Sequence, residues 1–275
     1  LEGDARHGVF LGRLAATAAS VEVLVLADSL LLFWLAWVST SVCLHRLLVF
    51  YPERQRAVSA ARKKFIASRL GDLSLIGAMV LLYNLFGSLD FTTMFAAAES
   101  ISQTGLAPAG IHWVAVLLVI GAMMKSAQFP FHGWLTEVME TPTPVSALLH
   151  AGIINGGGFL ILRLSDIVSL SVPALQMLAV VGGFTALFAS VVMLTQTSIK
   201  VSLAWSTIAQ MGFMMLQCGL GAFSAAALHI VAHSLYKAHA FLASGGAVQR
   251  VAEIRRPGPV AVPGVAAVGR AFLLA

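Results

Sequence analysis

The stretch that decides how this chain folds is residues 222–248, AFSAAALHIVAHSLYKAHAFLASGGAV, an apolar run that carries His229, His233 and Lys237. The three side chains lie four residues apart, so on an α-helix they share one stripe about 80° wide. A charge in hydrocarbon costs about 2.5–3.5 kcal/mol on insertion scales, and such residues therefore face a bundle interior or a water path. The stretch predicts a membrane-spanning helix with a row of titratable groups on one face.

Composition places the whole chain among helical membrane proteins. Its residues are 59% hydrophobic and 11% charged, against roughly 25% charged residues in soluble domains. Apolar runs of about 20 residues, the length that an α-helix needs to cross a bilayer, recur along the chain. We therefore predict an all-α, polytopic transmembrane bundle with roughly eight spans: 8–26, 27–51, 64–86, 111–138, 143–164, 173–195, 198–218 and 222–249.

The two ends of the sequence interrupt this pattern. The first residue is Leu1 rather than a methionine, and the sequence stops at Ala275 inside a new apolar run, 260–275. We expect residues 1–275 to form a single transmembrane domain, apparently truncated at both ends, that is part of a longer membrane protein.

Positive charge is concentrated on one side of the predicted bundle. Cytoplasmic loops carry an excess of Lys and Arg, and alternation of the spans places 46–64 and 250–256 on the same side. The opposite segments, 87–110 and 218–222, hold no Lys or Arg, and 87–110 is long enough for a short interfacial helix around 91–102. No basic face with interleaved aromatic residues indicates nucleic-acid binding. Six of the 17 basic residues lie between positions 46 and 64, around the connection of the second and third spans: Arg46, Arg54, Arg56, Arg62, Lys63 and Lys64.

The fourth predicted span carries both a cation and a helix breaker. Lys125 follows the apolar run 113–124. This position is too deep in the span for the lysine side chain to reach an interface easily. Pro130 removes a backbone donor and predicts a break or kink. Broken helices at membrane depth line cavities, and transporters use their ends as ion sites. Because burial disfavours the charged form of a lysine, we predict that Lys125 faces a cavity and loads and releases protons.

Together with Lys125 and the stripe of His229, His233 and Lys237, a further titratable residue is expected to form a proton relay. His150 lies inside another apolar run, where it either belongs to the relay or hydrogen-bonds a neighbouring helix; histidine titrates close to physiological pH. Two histidines at i and i+4 can share a zinc ion, but no third ligand is near and Lys237 would repel a cation. Cys43 and Cys218 are far apart, without the spacing of an iron–sulfur site. We expect neither a metal nor a cofactor.

Carboxylates that could balance these cations are few. Arg69 and Asp72 lie three residues apart in the third span and can form an ion pair, which we interpret as structural rather than as part of a transport path. Glu22 and Asp28 could also neutralise one of the buried cations. Glu137, near the cytoplasmic end of the broken helix, is expected to be solvated.

Several motifs resemble the antiporter-like membrane subunits of respiratory complex I and of Mrp cation/proton antiporters. The first is 125–144, KSAQFPFHGWLTEVMETPTP, which VSALLH continues to His150. The others are RLGD at 69–72, IKVSLAWSTIAQMGFM at 199–214 and HIVAHSLYKAHAFLASG at 229–245. The resemblance extends from about residue 9 to residue 245, nearly the whole chain, and implies an antiporter-like fold.

The resemblance also implies roles for individual residues. The lysine before the broken-helix proline is the central proton carrier of that family, which here is Lys125, and His150, Lys200 and the stripe of His229, His233 and Lys237 correspond to the rest of its relay. Complex I subunits carry a glutamate after the Phe-Trp pair of the second span, where this chain has Leu35. The ion pair that modulates the central lysine is therefore expected to be missing.

Some details are closer to one branch, the membrane subunits of DAB inorganic carbon pumps. These are the absence of that glutamate, the basic segment RLLVFYPER after His45, the run HAGIINGGG and the run QMGFMMLQCGLG. The likeness implies a transporter subunit in the bacterial inner membrane, without an NADH or quinone site of its own. It also implies a large soluble zinc-containing partner that interconverts CO2 and bicarbonate.

Three functional hypotheses follow. The first is the membrane subunit of an energised inorganic carbon pump, which conducts protons or sodium to drive CO2 hydration in its partner. The second is a proton-translocating subunit of a complex I-like NADH-quinone oxidoreductase or an Mrp-type antiporter. The third is a non-conducting membrane anchor, which the buried titratable groups oppose because an anchor does not need them.

Overall fold

The computed structural model describes residues 5–138, 141–246 and the single positions 254, 264, 270, 271 and 273. Helices are the regular secondary structure of this part of the chain, as predicted for an all-α bundle. A 3₁₀ turn, Ile153–Asn155, lies between the helices Thr143–Ala151 and Gly156–Arg163. In chain order the helices are α1 His7–Leu26, α2 Leu30–Leu48, α3 Gln55–Phe86, α4 Phe91–Thr104, α5 Ile111–Lys125, α6 Gly133–Glu137, α7 Thr143–Ala151, α8 Gly156–Arg163, α9 Ser165–Val168, α10 Val172–Leu194, α11 Ile199–Gly219 and α12 Phe223–Ser244.

Six of these segments are long and apolar enough to cross a membrane: α1, α2, α3, the pair α7–α8, α10 and α11. The fourth predicted span is divided between α5, an apolar helix of 15 residues, and the short α6. The eighth corresponds to α12, whose 22 residues include the polar stripe. The short helix expected around 91–102 is α4, Phe91–Thr104.

The third helix begins earlier than predicted. The sequence suggested a start near 64, whereas α3 begins at Gln55. Basic residues caused the error, because a cluster of charge normally marks a loop. Here Arg62 and Lys63 lie on the exposed side of the helix, while Lys64, on the opposite side, is buried in the bundle.

Contacts among the helix ends follow the alternation that the charge pattern predicted. On the basic side, Arg13 Nη1 donates to the Arg46 carbonyl at 2.8 Å, and Lys63 Nζ lies 2.8 Å from Glu137 Oε1. Glu137, expected to be solvated, is thus exposed but paired. Arg250, Arg255, Arg256 and the apolar run 260–275 fall outside the described part or are described at single positions only.

The opposite side of the bundle has its own contacts. The Leu30 amide donates to the Leu89 carbonyl at 2.8 Å, and Arg163 Nη2 donates to the Ala27 carbonyl at 3.1 Å. These bonds join the connection between α1 and α2 to the starts of α4 and α9. The ends of successive helices are therefore sorted onto two faces, as membrane crossing requires.

The break after α5 lies before the proline that predicted it. The helix ends at Lys125, and residues 126–132 form turns, with Ala127 at φ 49°. Pro130, five residues further on, lies in an exposed part of this segment. Close packing holds the break in place, because a Cβ atom on Gly157 of α8 would overlap the carbonyl oxygen of Ala122. Ser126 Oγ also donates to the Ile154 carbonyl at 2.6 Å.

Candidate functional site

Lys125 points into the bundle, towards α2. Its side chain is only 7% exposed. Its Nζ donates to Thr40 Oγ1 at 3.0 Å and to the Trp37 carbonyl at 3.2 Å, and lies 4.3 Å from the centre of a Trp37 ring. A cation over an indole face is stabilised by about 0.5–2 kcal/mol, more when it is desolvated. The position at the end of α5 thus gives Lys125 two oxygen acceptors and an aromatic face.

Asp72 of α3 supplies the nearby negative charge. Its Oδ2 lies 2.7 Å from Arg69 Nη2, and its Oδ1 accepts a hydrogen bond from Trp37 Nε1 at 3.0 Å. The carboxylate also interacts electrostatically with Lys125 and Lys64. At 5% exposure it is the single buried Asp or Glu among the described residues. The expected Arg69–Asp72 pair is thus part of a larger charged group, and Trp37 joins the carboxylate to Lys125.

The absent glutamate has no bearing on this group, because position 35 faces elsewhere. Leu35 is 49% exposed and lies in a groove between α1 and α2, beside Ser20. The buried face of α2 passes instead through Trp37 and Thr40. A helix turns about 100° per residue, so position 35 projects far from the side that meets Lys125. Leu35 therefore lies away from Lys125, and the carboxylate that acts on this lysine in the described part of the chain is Asp72.

Glu22 and Asp28, the other carboxylates proposed to balance a buried cation, do not reach this group. Both are exposed, Glu22 in α1 and Asp28 in the connection to α2. Neither forms an ion pair with a lysine in the described part of the chain. In the described part of the chain, Asp72 is therefore the one carboxylate that balances the buried cations Lys125 and Lys64.

The polar stripe of α12 is largely buried against α11. Lys237 is 0% exposed, and its Nζ donates to Ser206 Oγ at 2.7 Å and to the Leu203 carbonyl at 3.3 Å. His233 is buried, and neither of its ring nitrogens has a hydrogen-bond partner among the described residues. His229 is half-buried, with Nδ1 2.9 Å from Gln217 Oε1. The stripe predicted from the spacing faces α11 over most of its length.

His150 of α7 joins this stripe. Its Nδ1 lies 3.1 Å from Thr207 Oγ1, and its ring stacks on Phe241 at 4.2 Å between centroids. The charges of Lys237 and His233 act on the imidazole. Helices α7, α11 and α12 thus bring His150 together with two of the three stripe residues, His233 and Lys237.

Lys125 and the histidine cluster are separate. Within the described residues no hydrogen bond joins Lys125 to His150 or to the stripe. The stem of Lys125 runs past Gly156, at the start of α8. One residue earlier, Asn155 Nδ2 donates a hydrogen bond to Ser234 Oγ of α12 at 2.9 Å, and Ser234 is the residue after His233. Among the described residues, Asn155 Oδ1 has no hydrogen-bond partner. Asn155 therefore lies between the two groups.

Sequence reasoning missed Asn155, although one signal was present: it is the one amide side chain in the apolar run AGIINGGGF. Lys200, which the resemblance included in the relay, is the second residue of α11 and is half-buried. No hydrogen bond or ion pair of Lys200 occurs within the described parts of the chain. It lies on the same helix face as Leu203, which accepts from Lys237, but nearer the end of the helix.

The chain belongs to the transmembrane family described as NADH:quinone oxidoreductase/Mrp antiporter, whose family model matches residues 27–256. The protein is therefore a multi-pass integral membrane protein of the antiporter-like class. A structure of the Mrp complex from Dietzia sp. DQ12-45-1b superposes with a TM-score of 0.80 at 32% identity, over 86% of this chain and 26% of that one.

Two curated relatives define its place within this family. It is 47% identical to the probable inorganic carbon transporter subunit DabB2 of Halothiobacillus neapolitanus, over 95% of this chain and 47% of the relative. It is 38% identical to NADH-quinone oxidoreductase subunit L of Escherichia coli, over 90% of this chain and 40% of that subunit. The chain spans less than half the length of these relatives.

The shared counter-charge leads to a prediction about stability. Asp72→Asn removes the carboxylate from three cations, whereas Arg69→Gln leaves Asp72 with Trp37 and Lys125. Removing one partner of a buried pair costs about 3–5 kcal/mol. We expect Asp72→Asn to lower the thermal unfolding midpoint of the purified protein in detergent more than Arg69→Gln does.

The matched control for this comparison is Lys63→Gln. It breaks an exposed pair with Glu137, and exposed pairs contribute about 0–1 kcal/mol. The midpoint of this variant should stay close to that of the wild type. Equal losses for Asp72→Asn and Arg69→Gln would show that the carboxylate serves Arg69 alone.

Proposed function

We propose that this chain is the ion-conducting part of the membrane subunit of an energy-coupled inorganic carbon pump in the bacterial inner membrane. Ion flow through it drives hydration of CO2 to bicarbonate in a soluble partner, and the chain itself catalyses no reaction. The observation that carries the proposal is the buried group of Lys125, Asp72, His150, His233 and Lys237 inside a bundle 47% identical to a probable inorganic carbon transporter subunit.

Protons suit this site better than sodium. Most of its titratable atoms are nitrogens of lysine and histidine, side chains that exchange protons, and burial makes the neutral form of a lysine more accessible. A hard cation such as sodium is bound by oxygen ligands, and carboxylates above all suit such ions. Asp72 is the one buried carboxylate of the described residues, and Arg69 already neutralises it.

The proposed path begins at Lys125 and ends at Lys237. The ammonium of Lys125 gives up a proton towards Asn155, whose free Oδ1 can accept a hydrogen bond from a water or another donor. In the part of the chain that the structure describes, His150 Nε2 and both ring nitrogens of His233 are buried without hydrogen-bond partners. Buried polar atoms without partners are rare and mark sites where water or a proton can be held. The ring nitrogens of His150 and His233 would carry the proton from Asn155 to Lys237.

The second candidate is a proton-translocating subunit of a complex I-like NADH-quinone oxidoreductase or an Mrp-type antiporter. It is favoured by the 38% identity to subunit L and by the superposition on an Mrp complex. The same path serves either assembly, because only the partner that consumes the ion gradient differs. A non-conducting anchor is the weakest alternative, since three lysines are buried in the described part of the bundle.

The partner we propose is a large, soluble, zinc-containing subunit docked on the basic face. Three arginines of this face, Arg54, Arg56 and Arg62, are exposed. The two lysines of the basic cluster do not contribute to the proposed docking surface, because Lys63 pairs with Glu137 and Lys64 is buried. Anionic lipid head groups attract the same charges, so contact with lipid is the competing explanation for this surface.

Lys125→Met tests the conducting role. The change replaces a buried cation with an apolar side chain of similar length, and the fold should stay intact because Asp72 keeps its ion pair with Arg69, so no buried charge is left unpaired. We expect insertion and assembly at wild-type levels but no ion movement in vesicles and no support of growth at ambient CO2. Lys63→Met, the same change on the exposed side of α3, should retain both. A Lys125→Met protein that still moved ions would contradict the proposal.

The docking surface has its own test. Neutralising Arg54, Arg56 and Arg62 to Gln should reduce recovery of the soluble partner with the membrane subunit. The loss relative to the wild type should be largest at low ionic strength and should shrink as salt is added, because salt screens exposed charges beyond about 10 Å at 0.1 M. Glu53→Gln, in the same connection but of opposite charge, should not weaken recovery. Unchanged co-purification at low and high salt would leave lipid as the ligand of this face.

A further inference from the structure

Lys64 is a third buried lysine and belongs to none of the motifs discussed above. It is 2% exposed, although Arg62 and Lys63 before it in the same helix are exposed. Its Nζ donates to Ser41 Oγ at 2.8 Å and to the Ser41 carbonyl at 3.2 Å. Thr40, the preceding residue of α2, accepts from Lys125. Two buried lysines from different helices are thus bound by adjacent hydroxyl residues.

Lys64 is held without an ion pair of its own. In the described part of the chain no carboxylate lies within salt-bridge distance of its Nζ. The groups that face it are Arg69 and Asp72 of α3, Lys125 of α5 and His45 of α2, all of which interact with its charge. A permanently charged ammonium so placed is costly, since buried charges are normally paired. A group that exchanges its proton avoids part of this cost, because its neutral form is readily buried.

A titratable group lies on the basic side of Lys64. His45, in the last turn of α2, is half-buried, and its Nδ1 has no hydrogen-bond partner among the described residues. Its ring packs against Phe65 at 5.0 Å between centroids. From the basic face inward, the order is therefore His45, Lys64 with Ser41, and Lys125 with Thr40.

We propose that Lys64 is a second proton-carrying lysine, which passes protons between the basic face of the bundle and Lys125. The ammonium of Lys64 becomes a neutral amine, and the neutral amine of Lys125 becomes an ammonium. The hydroxyls of Ser41 and Thr40, with intervening water, each accept one proton and donate another, so no electrons or heavy-atom bonds are exchanged. Asp72 interacts with both lysines and favours one added positive charge over two. This inference rests on the proton-conducting function proposed above.

The experiment measures proton flux in vesicles that contain the intact complex with substitutions at Lys64. Lys64→Arg separates charge from proton exchange, because arginine stays protonated in proteins. We expect Lys64→Arg and Lys64→Met both to reduce flux by about a hundredfold, the scale of a lost proton-transfer group. Lys64→His, which can titrate, should restore part of the flux with an altered dependence on pH. Lys63→Met should conduct like the wild type.

Each other result overturns a distinct claim. Wild-type flux in Lys64→Arg with loss in Lys64→Met would show that Lys64 contributes only a positive charge. Wild-type flux in both, with Lys125→Met inactive, would remove Lys64 from the path and leave the proposed function standing. Wild-type flux in Lys125→Met as well would reject the proposed path through Lys125. If Lys64→Met fails to assemble, Lys64→Arg and Lys64→His decide between the outcomes.

Discussion

The carboxylate of Asp72, held among three cations, is the interaction on which the rest of the bundle depends. Arg69 binds one oxygen and Trp37 the other, and Trp37 also presents its carbonyl and ring to Lys125. One tryptophan of α2 therefore connects a helix that supplies an anion with a helix that supplies a cation. Moving a charge out of water is repaid only by close, well-oriented partners. The relative positions of α2, α3 and α5 follow from this requirement.

The balance around Asp72 also explains how such a site can move charge. Two buried lysines, Lys64 and Lys125, share this one carboxylate with Arg69 in the described part of the bundle. An extra proton on either lysine changes the electrostatic energy of the other, and the effect is strong because the surroundings are poorly polarisable. The break in the helices also brings the charged group of Lys125 near the histidine cluster. The turn at Asn155 leaves its amide side chain between the two. Irregular backbone of this kind occurs within membranes where it lines a cavity.

Patterns with a fixed period were the most reliable part of the sequence. Apolar runs located the helices, and the spacing of His229, His233 and Lys237 showed that they share a face, which the structure directs mainly towards α11. Charge alone misled twice. A run of basic residues was interpreted as a loop although α3 passes through it, and Lys64 was counted among surface cations although it is buried.

Other features depend on which helices become neighbours, and a single sequence does not contain that information. Leu35 was compared with the glutamate that follows the Phe-Trp pair in complex I subunits. The orientation of α2 turns Leu35 outward and brings Trp37 and Thr40 to Lys125. Pro130 correctly indicated a break, yet the helix ends five residues earlier, where α8 packs closely against α5. Asn155 acquired its importance only from the contact with α12.

The most direct test of this account is proton flux through vesicles that contain the intact complex with Asp72→Glu or Asp72→Asn. Glutamate keeps the negative charge on a side chain one methylene longer, whereas asparagine keeps the shape and removes the charge. If Asp72 is the shared counter-charge of the buried lysines, Asp72→Glu retains substantial flux and Asp72→Asn loses it at equal levels of assembled protein. Wild-type flux in Asp72→Asn would contradict the account, because the lysines would then exchange protons without the carboxylate.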